Sequence, residues 1–205
     1  RSTRATQKGD PPMQLQLDPH WRPATQQQVF RRLMQAMAYP GTIVDLAFAG
    51  PARASLAALA TLLDHTTTLC DLDEVLAERD RRFLEARSAP HDDADYILAL
   101  AQPRPEADMA PQLGTLAGPD QSATLVLDGE QIGAGDLLLE LRGPGIQTAV
   151  RVALTGFHRD WFERRAAWTA HFPLGVDLLL ADARRVLAIP RTTQVAFYEN
   201  GRTKG

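Results

Sequence analysis

A chain of 205 residues and 22.5 kDa has room for one medium domain, which at this size buries roughly 70% of its unfolded surface, and is too short for two domains and a linker. Hydrophobic residues at 44% and charged residues at 23% mark an ordinary globular chain, and a net charge of -3 gives no electrostatic case for nucleic acid. A single cysteine, Cys70, excludes an internal disulfide framework and any multi-thiolate metal site, and no apolar run approaches the ~18 residues of a membrane span.

Residues 1–12 are polar and aperiodic and lack the apolar stretch of a secretory signal. The expectation is therefore a cytoplasmic protein with a partly disordered N-terminal extension over 1–24, one domain over 25–198, and a polar tail over 199–205. The first element is a helix from Gln26 to Ala38. Thr25 and Gln28 have capping-box spacing, and Val29, Phe30, Leu33, Met34 and Met37 form one apolar stripe. Pro40-Gly41 stops it, and a short strand, Thr42 to Leu46, follows. A second helix is expected over Arg53 to Leu63, then a buried strand from Thr66 to Cys70. Asp71 or Asp73 is expected to cap a third helix running toward Arg87, whose mixed charges Glu78 to Arg82 mark a solvated face. Tyr96 to Leu100 (YILAL) is continuously apolar, the pattern of a strand covered on both faces.

Four prolines and two glycines between Gln102 and Gln121 predict a loop with at most one short helix near Met109 to Leu113. Strands are then expected at Ala123 to Leu127, Leu137 to Leu141 and, half-exposed, Thr148 to Leu154. A helix over Phe157 to Ala170 precedes two strands, Val176 to Leu180 and Arg185 to Ile189, joined at Asp182-Ala183-Arg184. Helices and strands alternate first, and strands dominate later. That order predicts an α/β fold, a layered α/β/α domain with a mixed sheet and an antiparallel portion near the C-terminus.

Candidate chemistry is sparse. Arginine supplies 20 of the 22 basic residues, and the two lysines, Lys8 and Lys204, lie at the ends. The body of the domain thus lacks an amine for a Schiff base or a nucleophile. The five histidines, His20, His65, His91, His158 and His171, show no i, i+4 pair, and no metal site is expected. Arg142-Gly143-Pro144-Gly145 follows a strand and has the makings of a phosphate cradle. It lacks a third glycine, however, and Pro144 removes one N–H, so a plain turn is preferred. Arg191, Thr192 and Thr193 close a strand after Pro190. A guanidinium fork with two hydroxyls suits a phosphate or carboxylate, and the alternative is a structural ion pair. In the helix after Phe157, at 100° per residue, Phe157, Trp161, Trp168 and Phe172 fall within about 60°, with Arg164 and Arg165 at or beside that face. This stripe is either core or, with Arg164, an interface hot spot. There is no nucleophile elbow and no Walker loop.

Four strings carry a family resemblance: Phe30 to Met37 (FRRLMQAM) with Pro40-Gly41, Leu141 to Ile146 (LRGPGI), His171 to Asp177 (HFPLGVD), and Arg185 to Thr193 (RVLAIPRTT). Together they resemble PhnH, a subunit family of the bacterial carbon–phosphorus lyase system for phosphonate use, from about Gln26 to Val195. The resemblance implies a place in a multi-subunit core complex. With partner subunits, the family helps couple a phosphonate to the ribose of ATP, displacing adenine, to give a ribose 1-phosphonate 5-triphosphate. A separate radical subunit then breaks the carbon–phosphorus bond. It also implies a fold similar to the large domain of pyridoxal-phosphate-dependent transferases without the cofactor, which agrees with the missing internal lysine. No catalytic residue carries over. The expectation is an accessory subunit without an evident catalytic centre of its own, a homodimer in isolation, with other core subunits as partners and no cofactor, nucleic acid or membrane. The rivals are a stand-alone enzyme acting on a phosphorylated ligand through Arg191, Thr192 and Thr193, and a purely structural scaffold.

Overall fold

The computed structural model describes residues 17–199 and 202–204. A single 3₁₀ turn, Pro19–Trp21, leads into helix α1, Pro23–Ala38. The capping box expected at Thr25 and Gln28 does not form. Pro23 opens the helix instead, because its fixed φ suits the first turn and it has no N–H there to satisfy. The remaining helices are α2 (Ala54–Leu62), α3 (Glu78–Leu84) and α4 (Arg159–Trp168). The strands are β1 (Ile43–Asp45), β2 (Thr68–Asp71), β3 (Arg87–Ser88), β4 (Tyr96–Leu100), β5 (Thr124–Asp128), β6 (Gln131–Arg142), β7 (Val150–Thr155), β8 (Asp177–Ala181), β9 (Arg185–Ile189), β10 (Gln194–Glu199) and β11 (Arg202–Lys204).

Seven strands form the main sheet in the order β1-β9-β8-β5-β4-β2-β3. Strands β8, β5, β4, β2 and β3 pair in parallel, while β9 is antiparallel to both of its neighbours. The mixed sheet predicted from the sequence is therefore present, with one reversed strand. Because strand side chains alternate faces, the row Leu98, Val126, Leu179, Ala188 meets helices α1 and α2. The rows Ile97, Leu125, Leu178, Ile189 and Ala99, Leu127, Leu180, Leu187 meet the other side. Ala54, Ala57 and Ala58 are buried on α2, and their small side chains let its backbone lie close to the sheet.

The opposite face differs from the α/β/α expectation. Its cover combines α4 with a second, antiparallel sheet in the order β11-β10-β6-β7, whose Ile132, Leu139, Leu141, Val152 and Leu154 complete the second core. Two local expectations also change. The third helix is only Glu78–Leu84, and no side chain caps it. Asp71 instead accepts from the Val75 and Leu76 N–H groups and from Arg81, and Asp73 accepts from the Leu100 N–H, so both carboxylates fasten the loop after β2. No helix forms near Met109; Leu113 makes an isolated bridge to Ser122.

Residues before 25 also pack on the helices. His20 and Trp21 are buried beside α2, and Trp21 stacks on Phe83. Residues 1–16 lie outside the described residues, whereas part of the expected tail forms β11 against β10. Neither ring nitrogen of His20 has a partner among the described residues. Burial pushes its pKa below the usual 6.5, against the pull of Asp18 and Asp80 and with the help of Arg79. The unfolded chain then takes up the proton first, so His20 contributes stability above the ordinary histidine pKa that is lost as pH falls through the lowered value. The melting temperature is expected to fall between about pH 7 and pH 5, and His20→Phe should flatten that slope. Parallel profiles for the two proteins would show that His20 is not the sensor.

Candidate functional site

The hairpin of β8 and β9 pairs Leu178 with Ile189. Beyond that pair, Asp177, one residue on, and Arg191, two residues on, meet at the open end. The Arg191 fork grips the Asp177 carboxylate, with Nη2 2.6 Å from Oδ2 and Nε 3.4 Å from Oδ1. Asp177 Oδ1 also accepts the Arg191 backbone N–H at 2.6 Å, and Nη1 donates to the Pro119 carbonyl at 2.6 Å. With side-chain exposures of 17% and 14%, this is an internal ion pair. Of the two readings open at the sequence level, Arg191 matches the structural one, although it also lines a cleft with Thr192 and Thr193.

That cleft, of about 400 Å³, lies between the loop after β9 and the C-terminal end of α4. His158 caps α4 by accepting the Asp160 N–H at 3.2 Å, and the helix turns Trp161, Phe162 and Arg165 inward. Arg165 is 2% exposed. Its Nη2 donates to the Pro190 and Thr193 carbonyls at 2.6 and 3.0 Å. Nε has no partner, and no carboxylate among the described residues forms an ion pair with this guanidinium. Burial pushes its pKa down to about 10, with only the field of Asp177 opposing. Arg165 therefore stays charged at neutral pH. The buried Thr193 hydroxyl is likewise without a partner among the described residues.

The other sequence candidates fall elsewhere. Arg142 lies outside the cleft. It pairs with Glu140 through Nε and Nη2 at 3.0 and 2.8 Å, and together with Arg151 it holds the Glu140 carboxyl below the usual range. The turn after it is a buttress, as the turn reading requires. A Cβ on Gly143, whose φ is +143°, would lie 2.9 Å from the Thr192 carbonyl oxygen, and one on Gly145 would meet the Ala38 carbonyl. Of the four interface candidates, Phe157 and Trp161 are 7% and 2% exposed and belong to the second core, so neither offers a surface to a partner. Trp168 packs partly against the same core, and Arg164 donates to the Glu106 and Ala107 carbonyls. With the Trp161 Nε1–H on the Pro103 carbonyl at 2.9 Å, this face of α4 pins the proline-rich loop. Sequence reasoning puts Arg165 beside the aromatic face without marking it as a site residue. The available signal is its i+4 spacing from Trp161, which buries a cation on an apolar side.

At the C-terminal end of β5, Arg53 holds the buried Asp128 with two bonds of 2.7 and 2.6 Å, and Ser55 adds a third at 3.1 Å. Its polar groups are mutually satisfied. Among the described residues, no group of three or more His, Cys, Asp or Glu could hold a metal ion, and no helix is long and apolar enough to cross a membrane.

Fold and cleft thus define a mixed-sheet α/β protein in which the four strings picked out in the sequence meet. Gly145 touches the end of α1, Gly143 the loop at Thr192, Asp177 holds Arg191, and Phe172 stands at the cleft with Thr193. The chain belongs to the PhnH family of bacterial phosphonate metabolism proteins, whose profile matches residues 19–196. It is 41% identical over 175 residues to the "Putative C-P lyase subunit protein HtxG" of Stutzerimonas stutzeri, covering 85% of this chain and 88% of that one. It is also 35% identical over 189 residues to the "Alpha-D-ribose 1-methylphosphonate 5-triphosphate synthase subunit PhnH" of Rhizobium meliloti, covering 82% and 89%.

Proposed function

We propose that this chain is a subunit of a carbon–phosphorus lyase complex and assists the synthase step that joins a phosphonate to the ribose of ATP and releases adenine. The observation that carries this reading is the family match over residues 19–196, together with near full-length similarity to two proteins named as subunits of such machinery. The residues support an accessory role, since the polar clusters at Asp128, Asp182 and Asp177 are engaged in fastening loops to strands. We further propose a cytoplasmic homodimer that binds no pyridoxal phosphate. Between Lys8 and Lys204 there is no lysine to hold the aldehyde. Its main sheet, in which β9 alone opposes the other strands, is proposed as the counterpart of the large-domain sheet of the transferases that use that cofactor.

The test is purification of the tagged chain from native cells grown on methylphosphonate as sole phosphorus source. The expected result is co-purification of further subunits, with loss of growth on methylphosphonate when the gene is deleted. The isolated chain should be colourless and about twice 22.5 kDa by light scattering. Normal growth of the deletion strain would overturn the assignment. Release of adenine from ATP and methylphosphonate by the isolated chain would establish the stand-alone enzyme in its place.

A further inference from the structure

A buried guanidinium without a counter-ion is costly, because removing the charge from water is unrewarded unless something pairs with it. Arg165 is such a group, and it borders an open cleft. Of its five donors, those on Nη2 are engaged by the Pro190 and Thr193 carbonyls, and Nε has no partner among the described residues. The Thr193 hydroxyl is buried on the same cleft, also without a partner. Nearby ionic groups do not quench the charge, since the Asp177 carboxylate is already held by Arg191 and by the Arg191 N–H. Two guanidiniums and one carboxylate leave the region net positive. The exposed Thr192 and Gln194 complete the polar rim, with Phe172 and Val195 as its apolar part.

We propose that this cleft binds a tetrahedral phosphorus oxyanion, the phosphate or phosphonate group of a small ligand, held by the Arg165 guanidinium and the Thr193 hydroxyl. The donors come from two directions, a guanidinium from α4 and a hydroxyl from the loop after β9. A phosphorus oxyanion offers three acceptor oxygens to donors on separate elements, whereas a carboxylate offers two. Both orphan atoms are closed off from bulk water, so entry of the anion requires the cleft wall to open. Arg191 acts as a positioning residue: its grip on Asp177 and Pro119 fixes the loop that carries Thr193. The inference rests on the cleft alone and not on the proposed place in a complex.

The test is calorimetric titration of the full chain with inorganic phosphate, methylphosphonate and tripolyphosphate, against acetate and chloride at matched ionic strength. Saturable binding of at least one phosphorus probe is expected, with acetate much weaker. Thr193→Val removes a hydroxyl that has no partner in the fold, so stability should hold or rise while affinity falls about five-fold. Arg165→Met should abolish binding, a loss of more than about thirty-fold for a charge-assisted contact. If that variant does not fold, Thr193→Val decides alone. Tighter binding of methylphosphonate would identify a free phosphonate as the ligand, and tighter binding of tripolyphosphate the triphosphate end of a nucleotide. No saturable binding of any phosphorus probe, equal binding of acetate, or unchanged affinity in Thr193→Val would overturn the site. A protein that fails here and still co-purifies with its partners loses this cleft and keeps its place in the complex.

Discussion

Trp161→Ala is expected to lower stability by about 4 kcal/mol, the scale for emptying a buried tryptophan site. For a chain of this length that corresponds to a fall in melting temperature of about 8–16 °C. The indole is 2% exposed in the second core, and its Nε1–H satisfies the Pro103 carbonyl at 2.9 Å. Truncation therefore leaves a cavity under two sheets and frees the proline-rich loop. Trp168→Ala, at a partly exposed position on the same helix, should cost clearly less. Denaturant midpoints and light scattering on both variants separate core from interface. A Trp161→Ala protein of normal stability that has only lost its self-association would return this residue to the surface role its composition first suggested.

Asp177→Ala is expected to cost about 3 kcal/mol, the lower end of what removing one member of a buried ion pair does, or about 6–12 °C in melting temperature. The carboxylate accepts two side-chain bonds and one backbone bond from Arg191. Without it, Arg191 and Arg165 line one cleft with no carboxylate among the described residues paired to either. Arg191→Lys keeps the charge and loses the planar fork together with the Pro119 contact, so a smaller loss of about 1–2 kcal/mol is expected. Thermal melting of both variants checks the order. If Asp177→Ala melts like the parent, the loop after β9 is held by something else, and Arg191 is free to serve a ligand directly.

From the sequence, Arg191 suits either a ligand site or, the preferred reading, a structural ion pair whose partner stays unnamed. Nothing in the string PRTT says what lies across from it. The register of β8 on β9 brings Asp177 to its side, over a separation of 14 residues. Arg165 is the converse case. A sequence shows which arginines are present, whereas the absence of a partner is a property of everything packed around the group. Helix capping failed as a guide for a similar reason. Asp71 and Asp73 are good caps in isolation, but loop and strand N–H groups lie nearer and take both carboxylates.

What the sequence determined by itself is whatever depends on local periodicity. The continuous apolar runs of β4 and β5 and the Arg185 to Ile189 strand declare burial on both faces, the alanine-rich α2 declares a buried helix, and the family strings declare the lineage. The second sheet is different. The first half of β6 reads Gln-Ile-Gly-Ala-Gly-Asp, with a register shift between Ile132 and Leu137, and β10 mixes apolar and polar residues. The β6 stretch has little strand preference of its own and becomes a strand because a partner edge supplies its hydrogen bonds, whereas β10 carries the strand formers Val195, Phe197 and Tyr198 and takes its place from pairing with β6. The tertiary structure alone decided that a sheet shares the second face with α4, that Phe157 and Trp161 point inward while Phe172 stays exposed, and that one buried guanidinium has no carboxylate paired to it among the described residues. Each of those outcomes depends on contacts between residues far apart in the chain, and the periodicity of a single segment does not record them.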